Sequence, residues 1–439
     1  MANNPQNTIE RIASASGWLF FDRLLRLTFG FLVSIFVARH YGPNEWGALS
    51  YVMAAAILFG SIGSAGSENI IMRDLSQGRT KENEADIQKT ALILRIIFGF
   101  IAYIILLVFV FVTHGLGLVL YLAAVYGLIF IFQASDVWEY WLRIGHKLPV
   151  VAKTHVLSSA LSNSLKLISI LLGLPIISIA LSMIAEYASN LVLLFKFRAV
   201  DWPGWTGRFR SEYAKTLLKS SSMVMLSSFL IACQSRTEYY LISHYMNLES
   251  VGLYAAAFKC MEIVDVIALV FTMTLVPELF KRDHLELPIF ASRVYLLGFI
   301  FFAISLLPIV AIYIFFPWIY GQNYLAAQEI IPWLALRPLF IILGAIRGMF
   351  LVMEGRLSYV PICAAVGLIT CIIAGSFLIP DWGLRGAAIS GLIGLAISNF
   401  VMDIFFQPNK VVYMFFCYRQ WPYLLNRGLE MLKNRKLQQ

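Results

Sequence analysis

The sequence predicts an all-α polytopic membrane protein, with about twelve transmembrane helices in two parallel six-helix repeats. Three observations carry this expectation. Apolar residues make up 59% of the 439 and charged residues 13%, with a mean hydropathy of +0.76, whereas about a quarter of an ordinary soluble domain is charged. Twelve apolar runs approach the roughly 20 residues needed to cross about 30 Å of hydrocarbon. One arrangement also occurs twice: a charge-bearing apolar run, a short turn and a second apolar run, with His40-Tyr41 answered 204 residues later by His244-Tyr245.

In chain order the runs are 17–38, 48–65, 92–112, 115–134, 150–172, 175–195, 217–241, 251–276, 290–316, 327–352, 357–379 and 384–406. Residues 1–11 are polar and lack the basic n-region and small-residue cleavage site of a signal peptide, so the first run is expected to remain as an anchor. The polar segment 67–89 reads as an interfacial connector. Between the halves lies Asp201-Trp202-Pro203-Gly204-Trp205-Thr206-Gly207, whose Pro and Gly oppose a continuous helix and whose Trp residues suit a membrane interface. The expected organisation is a six-helix lobe at 1–195, a surface linker at 196–215, a second lobe at 216–407 and a basic tail at 408–439. Within the tail, 411–432 mixes apolar residues with Arg419 and Arg427, as in a segment lying along the membrane.

Lys and Arg concentrate in alternate loops, which sets orientation. One set holds Arg73, Arg79, Lys81 and Lys89, then Arg143 and Lys147, then Lys196, Arg198, Arg208, Arg210 and Lys215, then Lys281 and Arg282, and last Arg356. The opposite set has little beyond Arg39 and Arg385. Both termini are therefore expected in the cytoplasm, together with Lys433, Arg435 and Lys436. The pI near 9.2 comes largely from this asymmetry, which suits topology control and contact with anionic lipid, so nucleic acid is not an expected partner.

The repeat extends beyond the two turns. Ala180-Leu181-Ser182 is answered by Ala388-Ile389-Ser390, and Ser189-Asn190 by Ser398-Asn399. Six spans per half is an even number, so both halves enter the membrane from the same side and relate by a pseudo-two-fold axis along its normal, with a substrate path expected between them.

Charges inside spans are costly and by default face a bundle interior or a wet cavity. The candidates are Arg23, Arg26, Arg95, Lys166, Arg236, Lys259, Arg337 and Arg347 against Asp22, Glu186, Glu238, Glu262 and Asp265, a cationic surplus of three. Such a field favours an anionic passenger, and a guanidinium fork matches phosphate oxygens. Arg26, Arg236, Lys259, Arg23, Arg337 and Lys166 are the candidate substrate contacts. Glu238, Glu262, Asp265 and Asp22 are the candidate sites for coupling to H+ or Na+, since burial favours reversible neutralisation of a carboxylate. Structural readings stand beside these: Arg23, Arg95 and Arg347 lie near span ends, where they can snorkel to head groups, and Lys259, Glu262 and Asp265 share a helical face suited to ion pairs. The five cysteines have no metal-ligand spacing and read as packing residues. No Walker motif, phosphate-binding Gly loop, metal cluster or Ser/His/Asp arrangement stands out, so neither an enzyme nor a resident cofactor is expected.

Ser235-Arg236-Thr237-Glu238, His244-Tyr245 and Glu249-Ser250-Val251-Gly252-Leu253-Tyr254-Ala255-Ala256-Ala257-Phe258-Lys259 together resemble the polysaccharide-transporter (O-antigen flippase, Wzx-like) branch of the multidrug/oligosaccharidyl-lipid/polysaccharide (MOP) flippase superfamily. Arg39-His40-Tyr41-Gly42-Pro43 with Trp46-Gly47, Tyr320-Gly321-Gln322-Asn323-Tyr324, and Trp382-Gly383-Leu384-Arg385-Gly386 extend the likeness over nearly the whole chain. Glu238 departs from it, standing where an aspartate is expected. The resemblance implies a MATE-like, two-lobed fold in the bacterial inner membrane. It also implies a flippase for undecaprenyl-diphosphate-linked oligosaccharide units of O-antigen lipopolysaccharide or a related surface polysaccharide, with the polysaccharide polymerase and chain-length regulator as partners besides membrane lipids. Two alternatives remain open here. One is a cation-coupled multidrug or metabolite exporter of the same superfamily, against which the Arg-rich set argues; the other is a membrane polymerase or ligase, against which the short outer loops argue.

Overall fold

The structure is a computed structural model that describes residues 5–76, 81–145, 147–197, 201–279, 287–356 and 358–421. Side chains are described for 26–76, 84–145, 147–197, 201–265, 288–356, 358–419 and 421. Every regular element among these residues is helical. In order they are α1 Pro5–Gly63, α2 Glu68–Ser76, α3 Lys81–His114, α4 Leu118–Tyr126, α5 Ile129–Phe132, α6 Asp136–Ile144, α7 Leu148–Leu171, α8 Ile177–Phe197 and α9 Ser211–Tyr245. They continue with α10 Leu248–Leu279, α11 Leu287–Tyr320, α12 Leu325–Gln328, α13 Ile331–Leu334, α14 Arg337–Met353, α15 Tyr359–Ala396, α16 Met402–Phe406 and α17 Pro408–Phe415.

A 59-residue helix would span nearly three bilayer cores, and α1 is in fact broken at Gly42 (φ 75°, ψ 173°), with Pro43 opening the next stretch. The same device divides α15 at Gly383 (φ 55°, ψ −130°). Eight segments of the described chain are long and apolar enough to cross a membrane. Dividing the first and last at these glycines and adding α7 and α10 gives the expected twelve passes. The chain is a multi-pass membrane protein. In α3, the span of highest hydropathy (3.0), only 22% of the apolar window is buried, so most of its surface is left for lipid.

The expected fourth run, 115–134, is a longer and interrupted path over Leu118–Ile144, with a 3₁₀ turn at Gln133–Ser135 joining α5 to α6. Asp136 and Glu139, placed in a loop by the apolar pattern, are therefore helical.

The chain divides into two compact units, Met1–Ala256 with Tyr320–Tyr324, and Ala257–Ile319 with Leu325–Gln439. In the first, the linker is docked and does not hang as a loose strap. Trp202 is buried, its ring 6.1 Å from Trp138 and 5.2 Å from Trp205. Asp86 Oδ1 accepts from the Arg208 backbone N–H (2.7 Å), and Asp86 Oδ2 from Arg210 Nε (2.6 Å). In the second unit, α11, α14 and α17 share a core of Phe290, Val294, Tyr295, Ile342, Ile346, Phe350 and Met414. Lys410 of α17 pairs with Glu354 and lies 4.4 Å from the Phe350 ring centroid, so this part of the tail is fastened to its own unit. Residues 422–439, including Arg427, Lys433, Arg435 and Lys436, lie outside the described residues, as do the loop residues Lys281 and Arg282.

Repeat-related contacts recur. The rings of His40 and Tyr41 meet edge to face at 4.8 Å and 84°, those of His244 and Tyr245 at 4.9 Å and 79°. The Asn247 side chain then accepts from the Ser250 backbone N–H (2.8 Å) and caps α10. Within the first unit α1 and α10 cross in near-contact of their backbones. A Cβ built on Gly47 would lie 1.8 Å from the Leu248 carbonyl oxygen, and one on Gly252 would lie 1.8 Å from that of Pro43. Each helix thus offers a glycine to the carbonyl that its partner presents one turn before its own glycine.

Candidate functional site

The candidate charges fall into two groups, one in each unit. In the first unit α1 carries Arg26, α4 Tyr126, α8 Glu186 and Tyr187, and α9 Arg236. Tyr187 is within electrostatic reach of Arg26 and Glu186, and its hydroxyl is hydrogen-bonded by Gln133. Tyr126 is within reach of Glu186, Tyr187 and Arg236. Arg26, by way of Tyr187, and Arg236, by way of Tyr126, therefore border the same pair of phenols, with Glu186 within reach of both phenols and Asp136 within reach of Tyr187. Both arginines and Glu186 are half-buried. The Arg236 guanidinium also lies 5.7 Å from the Tyr239 ring centroid, close enough for a cation–π attraction of about 0.5–2 kcal/mol.

Glu238 is buried and follows Arg236 by two residues, roughly 200° around the helix. It shares the buried face of α9 with Gln234 and Thr237, away from the flank that bears Arg236. The helix of Asp22 and Arg23 is described but their side chains lie outside the described residues.

Lys166 is buried on α7 and donates to Asn163 Oδ1 (3.3 Å), whose amide donates to Ser159 Oγ (3.3 Å). It belongs to a seam that the apolar pattern did not single out: Thr154, Ser158, Ser159, Ser162, Asn163, Lys166 and Ser169 are all buried along this one helix. Their three- and four-residue spacing, hidden by the apolar residues between them, was the available signal.

In the second unit the candidates are ion-paired. Lys259 Nζ lies 2.7 Å from Glu262 Oε2, a pair at i and i+3 on α10. Arg337, at the start of α14, places Nε 3.4 Å from Asp265 Oδ2 and stacks over the Phe258 ring at 4.1 Å. Both pairs are half-buried.

Arg95 and Arg347 do not snorkel. Arg95 is 6% exposed, pairs with Asp136, and donates to the Gly63 carbonyl (3.2 Å) and the Tyr140 hydroxyl (3.4 Å). Arg347 is 7% exposed, lies 3.6 Å from Asp403, and donates to Asn399 Oδ1 (3.0 Å) and to the Ser398 carbonyl. An arginine near a span end reaches for head groups only when nothing nearer accepts its hydrogen bonds. Here acids from distant helices do, and Asp136 and Asp403 were not among the sequence candidates. Glu139, also missed, is a second hub, receiving His155 Nε2 (2.9 Å), Asn190 Nδ2 (3.0 Å) and Arg143 Nη2 (3.3 Å).

Removing one member of a buried pair typically costs about 3–5 kcal/mol because the other is left charged and uncompensated. Arg347→Leu is therefore expected to lower the thermal midpoint of the purified protein by many degrees, and Arg347→Leu/Asp403→Leu to recover most of that loss. A double variant no better than the single one would remove the pairing argument.

The family model described as polysaccharide biosynthesis protein matches residues 13–282. No curated protein matches the chain by sequence. Among solved structures, an inward-facing multidrug resistance MATE family transporter of the MOP superfamily superposes with a TM-score of 0.70 at 19% identity, over 88% of this chain and 95% of that one. The lipid II flippase MurJ, in an inward closed conformation, gives 0.66 at 12% identity over 92% and 91%. The MATE multidrug transporter DinF-BH gives 0.65 at 16% over 92% and 96%. At these identities the likeness is one of fold.

Proposed function

The chain belongs to the polysaccharide biosynthesis protein family, with the fold of MOP superfamily transporters, and from that premise we propose that it is a flippase for polyprenyl-diphosphate-linked oligosaccharides. The passenger is an undecaprenyl-diphosphate carrier with a repeat unit of O-antigen or a related surface polysaccharide, turned from the cytoplasmic to the periplasmic leaflet of a bacterial inner membrane. The observation that carries this reading is that Arg26 and Arg236 border one pair of phenols, Tyr187 and Tyr126.

Arg26 and Arg236, bordering the Tyr126 and Tyr187 pair, would supply two cationic forks in a half-buried setting, where charge–charge attraction is less screened than in water. Each fork can take two phosphate oxygens, while Glu186 offsets part of the cationic charge when no passenger is bound. The Tyr126 and Tyr187 hydroxyls add donors for phosphate or sugar oxygens. Lys259 and Arg337 would contribute by exchanging Glu262 and Asp265 for phosphate. Protonation or Na+ binding at Glu238, Glu262, Asp265 or Asp22 would then couple an ion gradient to the cycle. The polyprenyl tail stays in lipid throughout, and hand-over to a polymerase and its chain-length regulator completes the pathway. A drug-export reading has the shared fold in its favour but would pair a cation with an Arg-rich site.

Proteoliposomes containing the purified protein should make an undecaprenyl-diphosphate-linked oligosaccharide, incorporated in the inner leaflet, accessible to an external lectin, with no acceleration of ethidium transport. Ethidium transport without movement of the lipid would overturn the proposal.

Orientation has its own test. In a cysteine-free background, Thr206→Cys on the linker should resist a membrane-impermeant maleimide in intact spheroplasts, and Gln322→Cys should be labelled at least several-fold faster. Both positions are exposed. The opposite pattern would place the basic loops outside.

A further inference from the structure

We propose that the cleft between the α12–α13 turn and the break in α15 is a carbohydrate-binding site that takes the sugar chain and not the diphosphate. The cleft encloses about 690 Å³, a size typical of small-molecule sites, and lies wholly within the second unit. Trp333 and Trp382 line it, 42% and 57% exposed. Glu329, Asp381 and Arg385 complete its polar lining. Arg385 Nη2 and Nε both donate to Glu329 Oε2, at 2.7 and 3.1 Å, which uses two of the five guanidinium donors.

This combination suits a pyranose. One face of a sugar ring presents C–H groups that pack on an indole, while the ring's edge presents hydroxyls that donate to carboxylates and accept from a guanidinium fork. Two carboxylates against one guanidinium leave the cleft with a net negative charge, which repels a diphosphate and leaves a neutral polyol unaffected. The frame is also fixed before any ligand arrives. Gly383 holds the left-handed turn that presents Asp381 and Trp382, and Gly386 brings the following helix so close that a Cβ there would lie 2.1 Å from the Leu378 carbonyl oxygen. The cleft sits at the break in α15, at the far end of its first stretch from the Arg356 loop, on the side that the charge asymmetry is expected to assign to the periplasm. Sugars emerging there would find an aromatic platform, distinct from the arginines that hold the carrier.

The inference rests on the glycan-handling reading but uses none of its residues, so the two fail separately. The probe is the oligosaccharide released by mild acid from the host strain's own polyprenyl-linked pool, offered to the full-length protein in nanodiscs and followed by saturation-transfer NMR. Saturable binding is expected, weakened at least tenfold by Trp333→Ala or Trp382→Ala, largely retained in Trp382→Phe, and unchanged by Arg26→Ala. Absence of saturable binding, or binding in both alanine variants equal to that of the wild type, overturns the site. So does strong quenching of Trp333 and Trp382 by brominated lipid, since both indoles would then be membrane anchors. If flipping proceeds without glycan binding, the cleft proposal alone falls; if the cleft binds glycan and no lipid is flipped, the flippase reading falls instead.

Discussion

Arg236→Ala, and equally Arg26→Ala, should cut the rate of lipid-linked oligosaccharide flipping about a hundredfold while leaving the amount of protein in the membrane unchanged. Each hydrogen bond from a guanidinium to a charged partner contributes about 1.5–3 kcal/mol. Losing a bidentate pair thus removes about 3 kcal/mol or more, and every 1.4 kcal/mol is about a factor of ten. The arginines are half-buried and border Tyr187 and Tyr126, so alanine leaves space but no collapsed core. Arg→Lys at either position should be intermediate, since a point charge replaces a planar fork. The measurement is lectin accessibility in proteoliposomes, alongside surface polymer in cells lacking the native gene. Wild-type rates in both alanine variants would show that these arginines serve the fold and that the passenger is held elsewhere.

Gly252→Leu and Gly47→Leu should remove folded protein from the membrane, with yields of monodisperse material down at least tenfold. Even a single methyl would sit 1.8 Å from a backbone oxygen of the facing helix, so the two axes must separate before any side chain fits. Small residues that let helix backbones touch are a main source of attraction between helices in lipid, where no hydrophobic gain drives association. Gly348→Ala is the control: a Cβ there meets nothing within 4 Å, and alanine is favoured over glycine inside a helix by about 1 kcal/mol. Its yield should equal or exceed wild type. Normal yields and thermal midpoints for both leucine variants would mean that the crossing of α1 and α10 contributes little to stability.

Apolar run length and loop charge were enough to expect twelve passes, because the bilayer demands about 20 apolar residues per crossing whatever the passes are packed against. Arg26 and Arg236 were singled out for a related reason: a charge deep in such a run has few uses. What the sequence hid was pairing across distance. Arg95 and Arg347 read as snorkelling because Asp136 and Asp403, their neighbours in space, belong to other helices and were not among the candidate charges. Glu139 was invisible because α6 continues helical beyond the apolar stretch. The linker's docking was hidden as well: Gly207 packs against the backbone at Ala85 and Trp202 is buried against Trp138. No single-residue propensity foretells such docking.

The asparagine that closes each half, Asn190 or Asn399, faces opposite partners. Asn190 donates through its amide nitrogen to Glu139, whereas Asn399 accepts through its carbonyl oxygen from Arg347, at corresponding places in the two halves. An amide, being donor at one end and acceptor at the other, serves both places although the neighbour reverses sign. The two halves are therefore not interchangeable at this pair of positions. A chimera placing an arginine at 139 would turn an acidic hub into a cluster of like charges with Arg143, and a glutamate at 347 would face Asp403.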